Sequence, residues 1–354
     1  MSGGVDSSVA AAVLRDAGHE VVGVTLKLWG GESDSGCCSV SDVDDARRVA
    51  QQLGIEHLVF NFGDDFTRHV VGPYVADHDA GLTPNPCIEC NRHLKFDRLL
   101  VRARALGFDA VATGHHARVV PAGPAGAPRL GRGADAAKDQ SYVLHVLDAR
   151  QLAEVQFPIG AMTKDEVRRR AEELGLRTAG KPDSQDVCFI TRSDGGRRAF
   201  LGSRLALRPG RLIDTDGRSV GEVDGVQLVT VGQRRGLGVT VDGAPRYAVD
   251  VDVANSTVRV GTADQLAVRS EPVAGVQFVD EAARADVLAG RVARLTAQCS
   301  AHGAPIDVAS VVAGDDPARC TVGWVEAQRR MAPGQSLVLY DGDVVLGGGT
   351  VARV

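Results

Sequence analysis

Two short segments hold cysteines in settings that could support thiol chemistry. Cys87 and Cys90 form a C-x-x-C pair within residues 83–91, a proline-containing stretch that predicts a stiff loop, and Cys188 lies between acidic residues and an apolar run. A C-x-x-C pair can be half of a zinc site, but no second C-x-x-C or C-x-x-H pair follows at the usual spacing. Two interpretations remain: the cysteines are catalytic thiols, or they are inert core residues.

The first residues have the composition of a phosphate-binding loop. The run from Ser2 to Ser8, SGGVDSS, places two glycines and hydroxyl side chains directly before a predicted helix. Glycine lets a backbone approach a phosphate closely, and hydroxyl groups and a helix N-terminus donate hydrogen bonds to it. The sequence contains no GxxxxGK[ST] motif, which excludes a Walker loop. The alternative is an ordinary helix cap after a glycine turn.

Residues up to about 120 alternate between strand and helix patterns. Strands are predicted at 20–26, 55–60 and 109–113, and helices at 7–17, 41–53 and 94–106. A further helix is predicted at 163–174, where Thr163 and Glu166 form a capping box. Such alternation is typical of a parallel sheet covered by helices on both faces.

The pattern changes to short β-type runs after about residue 192. These runs are separated by Gly and Asp and predict one or two small β domains, whereas residues 121–137 predict a loop or weak hairpin. The predicted strands are 227–231, 247–251, 257–260, 336–340 and 344–346.

The charge distribution argues against a nucleic-acid-binding coat over the whole surface, because the net charge is −5. Residues 192–241 nevertheless hold nine arginines against five acids, which predicts a local phosphate-binding surface; a solvated basic face is the alternative. Those arginines are residues 192, 197, 198, 204, 208, 211, 218, 234 and 235. The sequence has no apolar run of the roughly 20 residues that span a membrane and no signal peptide, so we expect a cytoplasmic protein.

Seven motifs occur in an order that resembles the tRNA-uridine 2-sulfurtransferases, the bacterial wobble-uridine thiolases. They are SGGVDSS, the NPxxxCN loop ending at Asn91, ATGHH at 112–116, KDQSY at 138–142, DSQDVCFI at 183–190, GQRRGLG at 232–238 and PGQ at 333–335. The resemblance runs from residue 1 to about 350. It implies an α/β nucleotide-binding domain of the pyrophosphatase-loop type at 1–191, a small central β-rich domain at 192–268 and a C-terminal β-barrel at 269–354.

The resemblance also implies a reaction. ATP with Mg²⁺ would adenylate the C2 oxygen of the wobble uridine of tRNA, and a Cys188 persulfide, loaded by a cysteine desulfurase or sulfur-relay protein, would supply sulfur. Cys90 would be the second catalytic thiol, which liberates sulfide or resolves the persulfide and leaves a Cys90–Cys188 redox disulfide. A competing possibility is an iron–sulfur cluster on Cys87, Cys90 and Cys188. We favour the redox pair because it needs only the two thiols that match the family most clearly.

Binding residues are implied by position within the matched motifs. For ATP they are Ser2, Gly3, Gly4, Asp6, Ser7, Leu26 and Gly114. For tRNA they are Asn85, Pro86, Cys87, His115, Lys138, Asp139, Gln140 and Gln335. Cys37 and Cys38 lie in a variable loop and are interpreted as local, and Cys299 and Cys320 as packing residues.

The sequence departs from the family pattern at two places. The strand expected before Ser2 is missing, which we expect to expose an edge of the sheet and loosen the loop. Gln298 and Cys299 stand where the family often has Arg-Tyr. Two rival functions stay open: an amide-forming adenylating synthetase, which would not need Cys90 and Cys188, and a non-catalytic RNA-binding protein, which would not consume ATP.

Overall fold

The computed structural model describes residues 1–28, 40–183, 187–190, 195–239 and 243–353. The chain divides into two units, each with its own contacts. Unit 1 comprises Met1–Val70, Pro86–Ser193 and Asp343–Val345, and unit 2 comprises Val71–Asn85, Asp194–Gly342 and Leu346–Val354. Cys37, Cys38 and the Ser-Gln-Asp at 184–186 of the DSQDVCFI motif lie outside the described residues.

The helices and strands follow the chain in this order. The α-helices are α1 (Val5–Asp16), α2 (Val40–Leu53), α3 (Gly63–Phe66), α4 (Gly72–Asp79), α5 (Pro86–Cys90), α6 (Leu99–Ala105), α7 (Ser141–Leu144), α8 (Ala149–Leu152), α9 (Lys164–Glu173), α10 (Gly196–Gly202) and α11 (Glu281–Leu288). The strands are β1 (Val22–Lys27), β2 (Glu56–Asn61), β3 (Val111–Ala112), β4 (Ala117–Pro121), β5 (Pro128–Arg132), β6 (Val155–Gln156), β7 (Gly210–Ile213), β8 (Ser219–Val223), β9 (Tyr247–Asp252), β10 (Thr257–Gly261), β11 (Ala267–Phe278), β12 (Leu295–Gln298), β13 (Ile306–Ala313), β14 (Arg319–Arg329), β15 (Ser336–Asp341) and β16 (Val344–Val351). Thr67–Val71 and Asn91–Arg98 are π-helical, and Pro124–Gly126, Val226–Leu228 and Asp264–Leu266 form 3₁₀ turns.

Unit 1 has the predicted parallel α/β arrangement. β1 pairs in parallel with β2, and β3 pairs in parallel with β6. Val9 of α1, Val49 of α2 and Val167 of α9 are fully buried in one apolar cluster, because their helical spacing brings them to the core side. Met1 lies beside β1, where the Thr25 hydroxyl donates to the Met1 carbonyl at 2.7 Å. Within the described residues the parallel strands form two ladders, so each ladder has edges of its own.

The helix that follows the two prolines corrects a prediction. Residues 83–91 were expected to form a stiff loop, but α5 begins at Pro86 and continues through a π-helical segment into α6. Proline is compatible with the first turn of a helix, where its missing N–H would have no intrahelical partner. The helix predicted to start at residue 94 therefore starts earlier. The Thr163–Glu166 capping box is confirmed, with the Thr163 N–H donating to Glu166 Oε2 at 2.7 Å.

Unit 2 contains two β structures. Four strands in the order β8-β7-β10-β9 make a small sheet, in which β7 and β10 are parallel. Six strands in the order β11-β14-β13-β12-β15-β16 make a barrel that closes where β16 pairs with β11. The strand predicted at 227–231 is wrong: Val226–Leu228 is a 3₁₀ turn, because the buried Gln227 side chain bonds to loop backbone, accepting from Arg208 N and donating to the Ala206 carbonyl.

Candidate nucleotide and thiol site

The glycine-rich segment at the start of unit 1 forms an ordered turn at the N-terminus of α1. Gly3 has a left-handed φ of +70°, and Gly4 caps the helix in an extended conformation. The Ser2 N–H donates to Ser7 Oγ at 3.1 Å, and the Ser8 hydroxyl donates to the Gly4 carbonyl at 2.8 Å. These bonds hold the glycine turn at the N-terminus of α1, the end of a helix that favours anions.

Gly114 packs directly against this turn. A Cβ atom built at Gly114 would lie 2.6 Å from both the Asp6 carbonyl carbon and the Ser7 nitrogen, which only glycine avoids. The end of β3 and the nucleotide loop are therefore adjacent, as predicted from their motifs. Leu26, the other predicted nucleotide contact, is half-buried on β1 opposite Phe60 of β2.

A cluster of charged side chains surrounds Asp6. Lys164, the first residue of α9, is buried, and its Nζ lies 2.8 Å from both carboxylate oxygens of Asp6 and 2.8 Å from Asp183 Oδ1. His116 Nε2 lies 3.3 Å from Asp6 Oδ1. Burial would raise the pKa of Asp6, but the hydrogen bonds from His116 and Lys164 outweigh burial and hold the pKa below its ordinary value. Asp6 is therefore ionised at neutral pH.

Asp183 connects the same cluster to the start of the DSQDVCFI motif. Its carboxylate also accepts from Lys138 and Arg168, each at 2.8 Å. Burial raises its pKa, but the bonds to Lys138 and Lys164 dominate and lower the pKa to about 2. Lys181 adds a second connection, donating to the Gly3 carbonyl at 3.0 Å and to the Asp42 carboxylate at 2.5 Å. The segment before Cys188 is thus bonded to the loop backbone through Lys181 and linked to the Asp6 side chain through Lys164.

Sequence reasoning missed Lys164, Lys181, Asp183 and His116 as site residues. One signal could have found the lysines. Only five of the 40 basic residues are lysine, and three of them, Lys138, Lys164 and Lys181, lie in this cluster. In an arginine-rich chain a retained lysine marks a position where a compact point charge is needed.

The predicted tRNA-binding residues of unit 1 are largely engaged within the protein. His115 is buried beside Phe96 and Phe157, and burial holds its pKa well below the ordinary value, so its ring is neutral. The buried carboxylate of Asp139 accepts from Arg132, from Gly133 N and from Ser141.

Two further members of that set also bind within unit 1. Lys138 pairs with Asp183, and Gln140 accepts from the His116 N–H at 2.9 Å. These contacts give the residues a role in connecting the nucleotide loop to its surroundings, and their binding to tRNA stays a prediction.

The three candidate thiols differ in exposure. Cys90 ends α5 and is buried, Cys87 on the same helix is exposed, and Cys188 is half-buried. Phe189, next to Cys188, packs edge-on against Phe66 with ring centroids 5.5 Å apart, which fixes the segment to α3. Glu89, between the cysteines of α5, lies 3.4 Å from the Arg92 guanidinium, which offsets its negative charge, and 3.3 Å from His93 Nε2.

A metal cluster is not supported by this arrangement. Across the described residues, which include all three thiols, no group of three or more His, Cys, Asp or Glu side chains is placed to hold a metal ion. Cys87, Cys90 and Cys188 therefore do not fit an iron–sulfur centre. In unit 2, burial raises the pKa of Cys299 to about 12 and that of Cys320 to about 11, which matches their interpretation as packing residues.

Unit 2 holds two of the predicted tRNA contacts, Asn85 and Gln335. Gln335 Nε2 donates to the Thr83 carbonyl, and the Thr83 N–H donates to the Pro333 carbonyl at 2.7 Å. Gly334 between them has a φ of +94° and packs against Thr83. The PGQ turn of the barrel is therefore bonded to the residues that lead into Asn85.

Known proteins match this chain over nearly its whole length. Family models match in succession, described as a tRNA methyl transferase HUP domain at residues 1–192, a tRNA methyl transferase PRC-barrel domain at 198–262 and an aminomethyltransferase beta-barrel domain at 275–351. A Beutenbergia cavernae protein named tRNA-specific 2-thiouridylase MnmA is 48% identical over 99% of this chain and 93% of its own length. The chain belongs to the tRNA-specific 2-thiouridylase family.

Other members of the 2-thiouridylase family match equally well along their length. The Roseiflexus castenholzii protein of that name is 46% identical over 100% of this chain and 98% of its own, and the Corynebacterium kroppenstedtii protein is 46% identical over 99% and 93%. The predicted order of an α/β domain, a small central domain and a C-terminal β-barrel is confirmed. Among the described helices, none is both long and apolar enough to cross a membrane.

Proposed function

We propose that this protein uses ATP to replace the C2 oxygen of the wobble uridine of tRNA with sulfur. Its relatives are named tRNA-specific 2-thiouridylases, and its own residues supply the two functions that the reaction needs. The observation that carries the proposal is that a phosphate-binding loop and the Cys90 and Cys188 thiols occupy the same unit, with the segment before Cys188 bonded to that loop.

Activation of the uridine is the first step. The C2 oxygen attacks the α-phosphorus of ATP, pyrophosphate leaves, and the base carries AMP as a leaving group at C2. The turn from Ser2 to Ser7 binds the pyrophosphate through backbone N–H and hydroxyl groups. Asp6 fits a Mg²⁺ site because it is ionised and partly exposed, and Mg²⁺ is usually held by one or two carboxylates with substrate phosphates. When bound, that ion neutralises phosphate charge.

Sulfur transfer is the second step. A donor protein, a cysteine desulfurase or a sulfur-relay protein, first loads Cys188 with a terminal sulfur. The Cys90 thiolate then attacks the Sγ atom of Cys188, the Cys90–Cys188 bond forms, and hydrosulfide is released. Hydrosulfide adds to C2 and AMP leaves, so the base gains one sulfur and loses one oxygen. A thiol reductant then restores both cysteines. In the alternative order, the terminal sulfur attacks C2 directly and Cys90 afterwards resolves the intermediate.

The substrate must expose its base for this chemistry, because C2 of a stacked base cannot reach ATP and a thiol together. Residues near Asn85 and Pro86 are the proposed contacts for the unstacked base. The bond between Gln335 and Thr83 supports this placement, since it fixes the chain directly before that pair.

The cysteine roles can be tested with two matched substitutions. Cys188→Ser is expected to abolish both the protein-bound persulfide and tRNA thiolation, whereas Cys90→Ser should load persulfide normally and fail to thiolate. Mass spectrometry of the protein and of the tRNA nucleosides measures both. Cys320→Ser, in the barrel, is the control and should retain full activity.

Two results would contradict the proposal. Persulfide and 2-thiouridine that persist in Cys188→Ser would exclude Cys188 as the carrier. AMP formation that requires an amine acceptor instead of tRNA would indicate an amide-forming synthetase, and tRNA binding without any ATP consumption would indicate a non-catalytic RNA-binding protein.

A further inference from the structure

The arginines of residues 192–241 differ in whether their side chains are already engaged within unit 2. Arg198 pairs with Asp224 at 3.3 Å and Arg218 with Asp216 at 3.1 Å. Arg208 pairs with Asp79 at 3.3 Å. Arg197 donates to the Leu228 carbonyl, and Arg204 stacks over the Phe200 ring at 3.9 Å. Five of the nine arginines that predicted a phosphate-binding surface therefore have partners inside the protein, and Arg192 lies outside the described residues. Arg211 is exposed on β7 and makes no side-chain hydrogen bond or ion pair among the described residues, but it has no unpaired arginine next to it in the chain.

Arg234 and Arg235 are different. Both are exposed, and neither side chain makes a hydrogen bond or ion pair with any residue in the part of the chain that the structure describes. They are adjacent on the loop from Gly232 to Gly238. A protein of net charge −5 does not attract RNA over its whole surface, so attraction depends on local groups such as these two adjacent guanidinium groups.

The backbone that carries these arginines is held on both sides. The Gly232 N–H donates to the Ala248 carbonyl at 2.7 Å, and the Ala248 N–H donates to the Gln233 carbonyl at 2.9 Å. Beyond the arginines, Leu237 is 1% exposed and belongs to the apolar core of the small sheet. The loop is therefore anchored at its start by β9 and at its end by a buried leucine.

The Gln233 side chain stabilises the turn with two hydrogen bonds to its backbone. Its Oε1 accepts from Thr230 N at 3.2 Å, and its Nε2 donates to the Arg235 carbonyl at 2.9 Å. Gly236 and Gly238 adopt φ values of +79° and +73°, which allow the chain to reverse without a side-chain clash. The sequence GQRRGLG thus builds a rigid support that presents two arginines to solvent.

We propose that the Gly232–Gly238 loop is a phosphodiester-binding site that docks the backbone of the RNA substrate through Arg234 and Arg235. Guanidinium groups bind phosphate oxygens through paired hydrogen bonds, and a braced loop loses little conformational freedom when it binds. This inference rests on the proposed function, because it takes RNA as the substrate. It adds a specific contact surface in unit 2, apart from the nucleotide and thiol residues of unit 1.

The test measures RNA binding as a function of salt. The probe is an unmodified transcript of a tRNA with a wobble uridine, and binding is followed by fluorescence anisotropy between about 50 and 300 mM salt, the range in which phosphate contacts are lost. For Arg234→Ala/Arg235→Ala, we expect affinity to fall about tenfold or more at the lowest salt and the salt slope to fall by about two, one for each phosphate contact. Arg198→Ala/Arg218→Ala removes the same charge from two paired sites and should change neither quantity appreciably.

Two further measurements separate docking from folding. In steady-state thiolation the double variant should raise KM for tRNA and leave kcat unchanged, because the loop supplies no group to the proposed chemical steps. Gln233→Ala keeps both charges and loosens the loop, so it should weaken binding while the salt slope stays near that of the wild type. A double variant with wild-type affinity and slope overturns the inference. So does one that binds RNA normally but accepts sulfur poorly from the donor, since the loop would then be a protein-docking site. A wild-type protein that fails to bind tRNA would instead count against the proposed function.

Discussion

Charged side chains are used in opposite ways at the nucleotide loop and at the Gly232–Gly238 loop. Around the nucleotide loop, Asp6, Lys164 and Asp183 are buried or half-buried, and Lys164 lies 2.8 Å from each of the two carboxylates. At the Gly232–Gly238 loop, Arg234 and Arg235 extend into solvent without partners among the described residues. The first set fixes the geometry in which chemistry occurs, and the second is available to a charged partner. Whether the charged side chains are paired with one another matters more than how many there are. Paired side chains fix the geometry of a site, and unpaired side chains leave charge available for a partner.

The largest effect is expected from removing the central carboxylate of the paired set. Asp6→Ala should lower tRNA-dependent AMP formation by at least about 100-fold, because the loop loses its Mg²⁺ ligand and its bond to Lys164. The control is Asp16→Ala on the same helix, where the exposed carboxylate pairs with Arg15 and Arg170. Formation of labelled AMP from ATP measures both. Equal activity in the two variants would remove the nucleotide loop from the mechanism.

Two lysines that share one partner should differ in how much they stabilise the fold, because one is more buried than the other. Lys164 and Lys138 both lie 2.8 Å from Asp183, but their side chains are 9% and 38% exposed. Lys164→Met should lower the free energy of unfolding by about 3 kcal/mol, because it removes the buried cation that contacts both Asp6 and Asp183. Lys138→Met should cost less than about 1 kcal/mol. Urea unfolding followed by circular dichroism gives both values, and similar losses in the two variants would show that burial is not the deciding variable.

The smallest effect concerns acid stability. The pKa of Asp183 is lowered to about 2 in the folded protein, below its ordinary value of 3.8. Its ionised form therefore stabilises the fold above about pH 4, and that contribution is lost as the pH falls toward 2. Asp183→Asn should be less stable than the wild type by about 2 kcal/mol at neutral pH, with the difference shrinking between pH 4 and pH 2.

The matched control for this pH dependence is Asp216→Asn in unit 2. Asp216 pairs with Arg218 on the surface, where both side chains are more than half exposed. Its removal should change the free energy of unfolding by less than about 0.5 kcal/mol across the same pH range. A constant deficit for Asp183→Asn down to pH 2 would mean that its carboxylate acts through packing and not through its charge.

Local sequence signals predicted much of the fold. Apolar spacing located α1, α2 and α9, and the Thr163–Glu166 capping box identified the residue at which α9 begins. The errors were also local: residues 83–91, with their two prolines, were interpreted as a stiff loop although Pro86 occupies the first turn of α5, and the apolar run at 227–231 was interpreted as a strand. Proline and short apolar runs fit more than one backbone conformation, so tertiary contacts decide between them.

The candidate site could be predicted less completely from the sequence than the fold could. Glycines and serines of the nucleotide loop are adjacent in sequence and carry a motif, whereas Lys164 reaches Asp6 across 158 positions. Nothing near Lys164 in the chain indicates that contact. The same limit applies to the arginines, since the sequence counts nine of them at 192–241 but does not show that Arg198 and Arg218 are paired and Arg234 is not.

The way the barrel closes sets an order for folding during synthesis. The ladder that completes it pairs Val273 of β11 with Val351 of β16, about 80 residues later in the chain. At the usual translation rate of roughly 5–20 residues per second, β11 waits several seconds for the strand that completes the barrel. β13 and β14 are available to pair in that interval, but the barrel stays open until β16 has left the ribosome. Unit 2 is therefore exposed to misfolding late in synthesis, and slowing translation over β12 to β15 should lower the yield of native protein more than slowing it over β16.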